Sequence, residues 1–185
     1  MINNIVMSHL AFYCNFVDRD AAKPETIDGK PFSWREVYYK RFVEHQPFAT
    51  LDSLAGCSSE LFQKFIRHPT LDSYWRSVIP ADIDYGAINI PILSITGHYD
   101  GDQRGAMMYY TKHQKFGSQD ALEHHHLVVG PWNHSATCTQ PKRELAGLDF
   151  GESSVVDLRD LQLQWYDWVL KGRARPDFLK KRIMY

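Results

Sequence analysis

Two stretches decide the fold: INIPILSITGHYDG (88–101) and HHLVVGPWNHS (125–135). Each opens on a short apolar run of strand length, ends that run on a glycine (Gly97, Gly130), and continues into a polar turn. Between them, RGAMMYYTKHQKF (104–116) has the composition of a helix. Strand, helix, strand in this order is a βαβ unit, whose two strands lie parallel and adjacent in one sheet. The fold class is therefore α/β.

The turns after the two strands carry the reactive residue types. Asp100 stands three residues past Gly97, and His134 four past Gly130. In open α/β sheets, reactive groups gather beyond the carboxyl ends of the strands. A carboxylate and an imidazole leaving adjacent parallel strands on the same edge can meet. The acid then fixes the tautomer of a histidine that serves as general base. Taken singly, each has a plainer reading, Asp100 as a turn or helix-capping residue and His134 as part of a structural Pro-Trp-Asn turn.

Downstream, a loop from 131 to about 153 leads into DLRDLQLQWYDWVLKG (157–172). Leu158, Leu161, Trp165, Trp168 and Val169 form one apolar stripe there, and Gly172 stops the helix. KKRIMY (180–185) reads as the start of a further strand. Upstream, residues 1 to about 85 read as short helices separated by turns. SWREVYYKRFVEH (33–45) opens on a capping box of Ser33 and Glu36, SSELFQKFIRH (58–68) on Ser58, and LDSYWRSV (71–78) forms a third helix. DAAKPETIDGKP (20–31) reads as a polar loop, and nothing upstream reads as a strand. Two strands and part of a third cannot bury both faces of a parallel sheet. The expectation is a fragment, or a chain whose exposed sheet edge associates with a partner.

Composition narrows the partners. With 21 basic and 22 acidic residues the net charge is -1, so no basic field exists to hold a phosphate backbone, and nucleic acid is excluded as a partner. No apolar run approaches the ~20 residues of a membrane span. The first residues lack a basic n-region and cleavage site, which leaves localisation open. Cys14, Cys57 and Cys138 are odd in number without CxxC spacing, so they read as free thiols. His124, His125 and His126 form a run near His98 and His113. Consecutive strand residues face opposite sides, however, so the run cannot converge on one ion. No metal and no cofactor is assigned.

At these same residues the chain resembles the X-Pro dipeptidyl-peptidase and cocaine esterase family of serine hydrolases, which includes the α-amino acid ester hydrolases and glutaryl acylases. The resemblance rests on RHPTLDSYWRS (67–77), IPILSITGHYDG (90–101), LVVGPWNHS (127–135), LAGLDFG (145–151) and LQLQWYDWVLKG (161–172), in the family's order. It implies a partial α/β-hydrolase core with a helical cap segment. Residues 1–85 are then the cap region, and 86–185 the C-terminal part of the core, ending near the start of an absent jelly-roll domain. It implies Asp100 as triad acid and His134 as triad base. Asp102 occupies a position where the ester hydrolases hold a substrate ammonium, although Gln103 stands where another acid would be. Tyr99 and Trp132 are candidates to line the acyl pocket. The implied substrates are small esters, amides or short peptides.

The large departure from the family concerns the nucleophile. No G-x-S-x-G nucleophile elbow occurs in the 185 residues; the nearest string, GCSSE (56–60), lacks the last glycine and a preceding strand. The leading expectation is a serine hydrolase piece with the acid and histidine but not the serine, inactive alone. The alternative is a non-catalytic truncated or degenerate paralogue that acts as a binding module.

Overall fold

The computed structural model describes residues 26–27, 29–137 and 139–185. Two compact units divide between Ile79 and Pro80.

The first unit begins with a minimal antiparallel hairpin, β1 (Thr26–Ile27) and β2 (Lys30–Pro31), where a loop was expected. Gly29, at φ 74°, makes the tight reversal that pairs them. Helices α1 (Trp34–Phe42), α2 (Leu51–Leu54), α3 (Glu60–Arg67) and α4 (Ser73–Val78) follow. Their inward residues Val37, Leu51, Ala55, Cys57 and Phe62 form one buried cluster. Cys14 and Cys138 lie outside the described residues.

The caps correct the sequence reading in two places. Ser33 sits at the N-cap of α1 in extended geometry but makes no side-chain capping bond, so the expected capping box does not form. In α3 the capping hydroxyl belongs to Ser59, which accepts from the Phe62 N–H at 3.1 Å, rather than to Ser58. Asp52 explains the one-residue shift. Its buried carboxylate accepts from the Ser59 N–H at 3.1 Å and from Gln63 Nε2 at 2.9 Å, which pins the GCSSE segment around it.

The second unit holds the sheet. After α5 (Asp82–Gly86) come β3 (Ile92–Gly97), α6 (Gln103–Phe116), α7 (Gln119–Glu123) and β4 (His125–Gly130). Strands β3 and β4 are parallel and in register from Ile92↔His125 to Gly97↔Gly130, as the βαβ pattern requires. A small hairpin, β5 (Glu144–Leu145) and β6 (Leu148–Asp149), lies within the long loop. Helix α8 (Leu158–Lys171) is capped by Asp157 and stopped by Gly172 at φ 65°. β7 (Ile183–Met184) then pairs parallel with β4, giving the order β3-β4-β7. The expected third strand therefore exists. Beneath the sheet, Val128, Trp132, Leu158 and Leu161 form the core, with Leu93, Ile95 and Met184 packed against it. Among the described residues, β3 pairs on one side only. No described helix is long and apolar enough to cross a membrane.

Candidate active site

Because Gly97 pairs with Gly130, β3 and β4 release their chains at the same level of the sheet. Backbone hydrogen bonds then stitch the two turns together. The His98 N–H donates to the Gly130 carbonyl at 2.7 Å, and the Tyr99 N–H to the Trp132 carbonyl at 2.9 Å. Such close approach needs glycine on both sides. A Cβ on Gly97 would lie 2.1 Å from the Trp132 oxygen, and one on Gly130 would lie 2.1 Å from the Trp132 ring.

This has a stability consequence. Gly97→Ala forces two backbone segments apart, and overpacking of this kind costs about 1–3 kcal/mol. Gly105→Ala, inside α6 where an added Cβ meets nothing within 4 Å, should cost nothing and gain up to about 1 kcal/mol. Thermal unfolding of the two variants checks this: the first should lose about 10 °C in Tm, the second none. Equal melting temperatures would refute the close-approach argument.

Beyond the stitch, the Asp100 carboxylate accepts from the Asp102 N–H at 2.9 Å, a tight Asx-type turn that fixes its direction. His134 opens a short 3-10 turn (His134–Thr137) and directs Nδ1 at Asp100, 3.2 Å from Oδ1 and 3.4 Å from Oδ2. The Asp100 side chain is 6% exposed and that of His134 68%. A shielded carboxylate thus holds one nitrogen of a ring whose body faces outward. With Nδ1–H donated to Asp100, the neutral ring carries its lone pair on Nε2, the form a general base requires.

The other expected residues fall nearby, in different settings. Asp102, 65% exposed, brings Oδ2 to 3.6 Å from His134 Nδ1 and stands at the N-cap of α6 without a side-chain capping bond. Asp100, Asp102 and His134 offer ligand atoms within 4.8 Å of one another, which makes them the group able to hold a metal ion among the described residues. His125 and His126, consecutive in β4, are both buried. Tyr99 is half-exposed, its ring 5.5 Å from that of Phe150. Trp132 is 3% exposed, and its indole N–H donates to the Ser154 carbonyl at 2.9 Å. Its ring is thus committed to packing the loop.

Sequence reasoning missed a second polar chain behind the sheet. His113 Nδ1 and His125 Nδ1 lie 2.7 Å apart, and His125 Nε2 is 3.0 Å from Ser94 Oγ. Burial holds His125 down to about 4, with the neighbouring His113 and His126 adding to the effect, and burial lowers His113 and His126 as well. The available signal was a pair of histidines opening an otherwise apolar strand, with a further histidine, His113, in the α6 segment.

The parallel sheet, its order and the helices around it place the chain in the α/β-hydrolase class, as a partial core. Fourteen chains of known structure match it. One is the crystal structure of an aminopeptidase from the marine sediment archaeon Thaumarchaeota archaeon, at TM-score 0.62 and 24% identity, over 79% of this chain and 24% of that one. The chain therefore spans about a quarter of that protein's length. No curated protein sequence matches. The family model of the X-Pro dipeptidyl-peptidases (S15 family) matches residues 18–136, and the chain belongs to that family.

Proposed function

We propose that Asp100 and His134 are the acid and the base of a serine hydrolase acting on small acyl esters, amides or short peptides. The observation that carries this reading is the shielded Asp100 carboxylate 3.2 Å from His134 Nδ1. In the reaction, a serine hydroxyl attacks the carbonyl carbon while His134 Nε2 takes its proton. Asp100 stabilises the imidazolium that forms. The leaving group then takes that proton, and an activated water releases the acyl group through the same histidine. Tyr99 and Asp102, both exposed beside the pair, are the proposed substrate contacts; Asp102 suits a positively charged group on the substrate. Residues 1–85 are proposed as the cap region and 86–185 as core.

The nucleophile is proposed to lie outside these 185 residues, since no G-x-S-x-G occurs among them. GCSSE supplies no substitute: it lies in a turn before α3, and Ser59 is fully buried as its cap. A fluorophosphonate probe, which labels activated serines, should leave this chain unlabelled under conditions that label a serine hydrolase completely. Stoichiometric labelling, with the modified serine mapped by mass spectrometry, would overturn this placement.

Among the described residues β3 pairs on one side only, which supports a second reading, in which the chain is a binding module without catalysis. Ile90, Leu93 and Ile95 line a groove beside β3 together with Trp165 and Tyr166. The two readings separate on whether the Asp100–His134 pair affects turnover once a serine is present.

A further inference from the structure

The last residues of the chain close on β4 beside a buried histidine. His126 is 1% exposed and stands one residue before Leu127, which pairs with Ile183 of β7 and whose N–H donates to the Arg182 carbonyl at 2.8 Å. The seam is short, with Leu127↔Ile183 and Val128↔Met184 as its register pairs. Strands of this length hold little by themselves. The 3-10 turn before β7 (Asp177–Leu179) adds to the hold. Arg175 Nη2 donates to the carbonyl of Leu179, a residue 1% exposed, at 2.5 Å, and lies 3.4 Å from His126 Nε2.

The contact between Arg175 and His126 depends on charge. A neutral imidazole accepts at Nε2 from the guanidinium, whereas an imidazolium carries a proton on that nitrogen and cannot. Arg175 stays charged throughout the range in which histidine titrates, so a proton on His126 sets two cations at hydrogen-bond distance. The surrounding groups offer no relief. On β4 the neighbouring titratable groups are His124 and His125. On α8, Trp168 brings its ring centre to 6.1 Å, and Asp167 is engaged by Lys171 at 2.5 Å and Arg173 at 3.5 Å. Asp177, in the 3-10 turn, is 91% exposed and pairs with Lys180 at 3.0 Å. Arg182 leads into β7 and meets Gln114 of α6 at 3.5 Å. Burial lowers His126; the Lys181 backbone opposes this, and Arg175, His124 and Arg182 lower it further.

We propose that residues 173–185 form an acid-released latch, in which a proton on His126 expels Arg175, frees the Leu179 carbonyl and lets β7 leave the edge of β4. Arg175 cannot withdraw without taking a donor from the carbonyl of a buried residue, which is costly if the turn stays in place. The turn and the two-residue strand therefore go with it, while β3 and β4 stay paired. The sign follows from linkage. His126 takes up a proton more readily in the open form, where water reaches it, so the latch is closed above a pH of about 6.5 and opens as the pH falls below it. Release bares the edge of the strand whose following turn carries His134. The latch does not depend on the hydrolase reading.

Amide hydrogen exchange of the 185-residue chain, followed by NMR, tests the latch. The Leu127 N–H reports the β4–β7 seam, and the Ile92 N–H, which donates to the His124 carbonyl at 3.0 Å, reports the other side of β4. After correction for intrinsic exchange, protection of Leu127 relative to Ile92 should fall at least fivefold between pH 7.5 and 5.5. His126→Gln and Arg175→Met should each reduce that fall to less than twofold, whereas His125→Gln should leave it in place. A ratio that stays constant in the parent chain overturns the proposal, as does a fall of parental size in either of the first two variants. Unfolding of the whole domain exposes both amides together and leaves the ratio unchanged, so the measurement separates release of the latch from general acid lability.

Discussion

Asp100→Asn lowers kcat about ten-thousand-fold in a polypeptide that unites these residues with a serine nucleophile, the loss expected when a triad acid becomes an amide. The reason lies in the tautomer. Asp100 only accepts, so it selects the ring form with the proton on Nδ1 and the lone pair on Nε2. An asparagine in the same place can donate to Nδ1, which puts the proton on Nε2 and removes the base. Fold and substrate binding should survive, because the backbone bonds that join the two turns do not involve the carboxylate. The measurement is kcat and KM on a small aryl ester for the parent and the variant, with circular dichroism to verify the fold. A variant retaining more than a tenth of parental kcat would remove Asp100 from the mechanism.

The second large effect is acid lability. His125 has no exposed surface, lies 2.7 Å from His113 through the two Nδ1 atoms, and titrates near 4 rather than 6.5. Two imidazoles joined through one nitrogen each share a single proton there, so charging both breaks the bond. Tyr109 and Tyr110 of α6 pack rings on His125 and supply no counter-charge. The sign follows from linkage. The folded form holds the lowered value, so as pH falls through 6.5 the unfolded chain takes up a proton that the folded chain refuses. The stability contribution is whole above pH 6.5 and is lost between 6.5 and about 4. A gap of that size corresponds to about 3 kcal/mol, most of it gone by pH 5. His113 and His126 are lowered by the same cause and act in the same direction. Urea unfolding at pH 7 and pH 5 should show the midpoint falling, and His125→Gln should shrink the difference. Identical midpoints at the two pH values would refute the account.

Much of this arrangement is legible in the sequence, for reasons that can be named. Strands β3 and β4 are short apolar runs that end at glycine, and α8 is a long amphipathic stripe with a cap at each end; both signals depend on local pattern alone. The turns after Gly97 and Gly130 could be read because strand register puts their first residues level. Other features depend on contacts that a local pattern does not contain. The capping shift from Ser58 to Ser59 depends on Asp52, seven residues before Ser59, drawing in the Ser59 N–H. The β1–β2 hairpin has only two pairs, too few to form an alternating pattern. The Ser94–His125–His113 chain joins three elements through side chains that each read as ordinary core or surface. Trp132, a candidate for the acyl pocket, is absorbed by packing once Gly130 lets its ring settle onto the strand end.

The stitch between the two turns has a consequence for how such a site can diversify. The acid–histidine distance is set by main-chain atoms of His98, Tyr99, Gly130 and Trp132, and by two glycines whose smallness is the requirement. The side chains of His98 and Tyr99 take no part in those backbone bonds, whereas Asn133 does hold the turn, its Oδ1 accepting from the Ala136 N–H at 3.2 Å. On the proposed reading, a lineage, or a designer, can therefore exchange His98 and Tyr99 for others that suit a different substrate while Asp100 and His134 keep their separation. Substrate choice and proton transfer would then be separately adjustable on one short pair of turns.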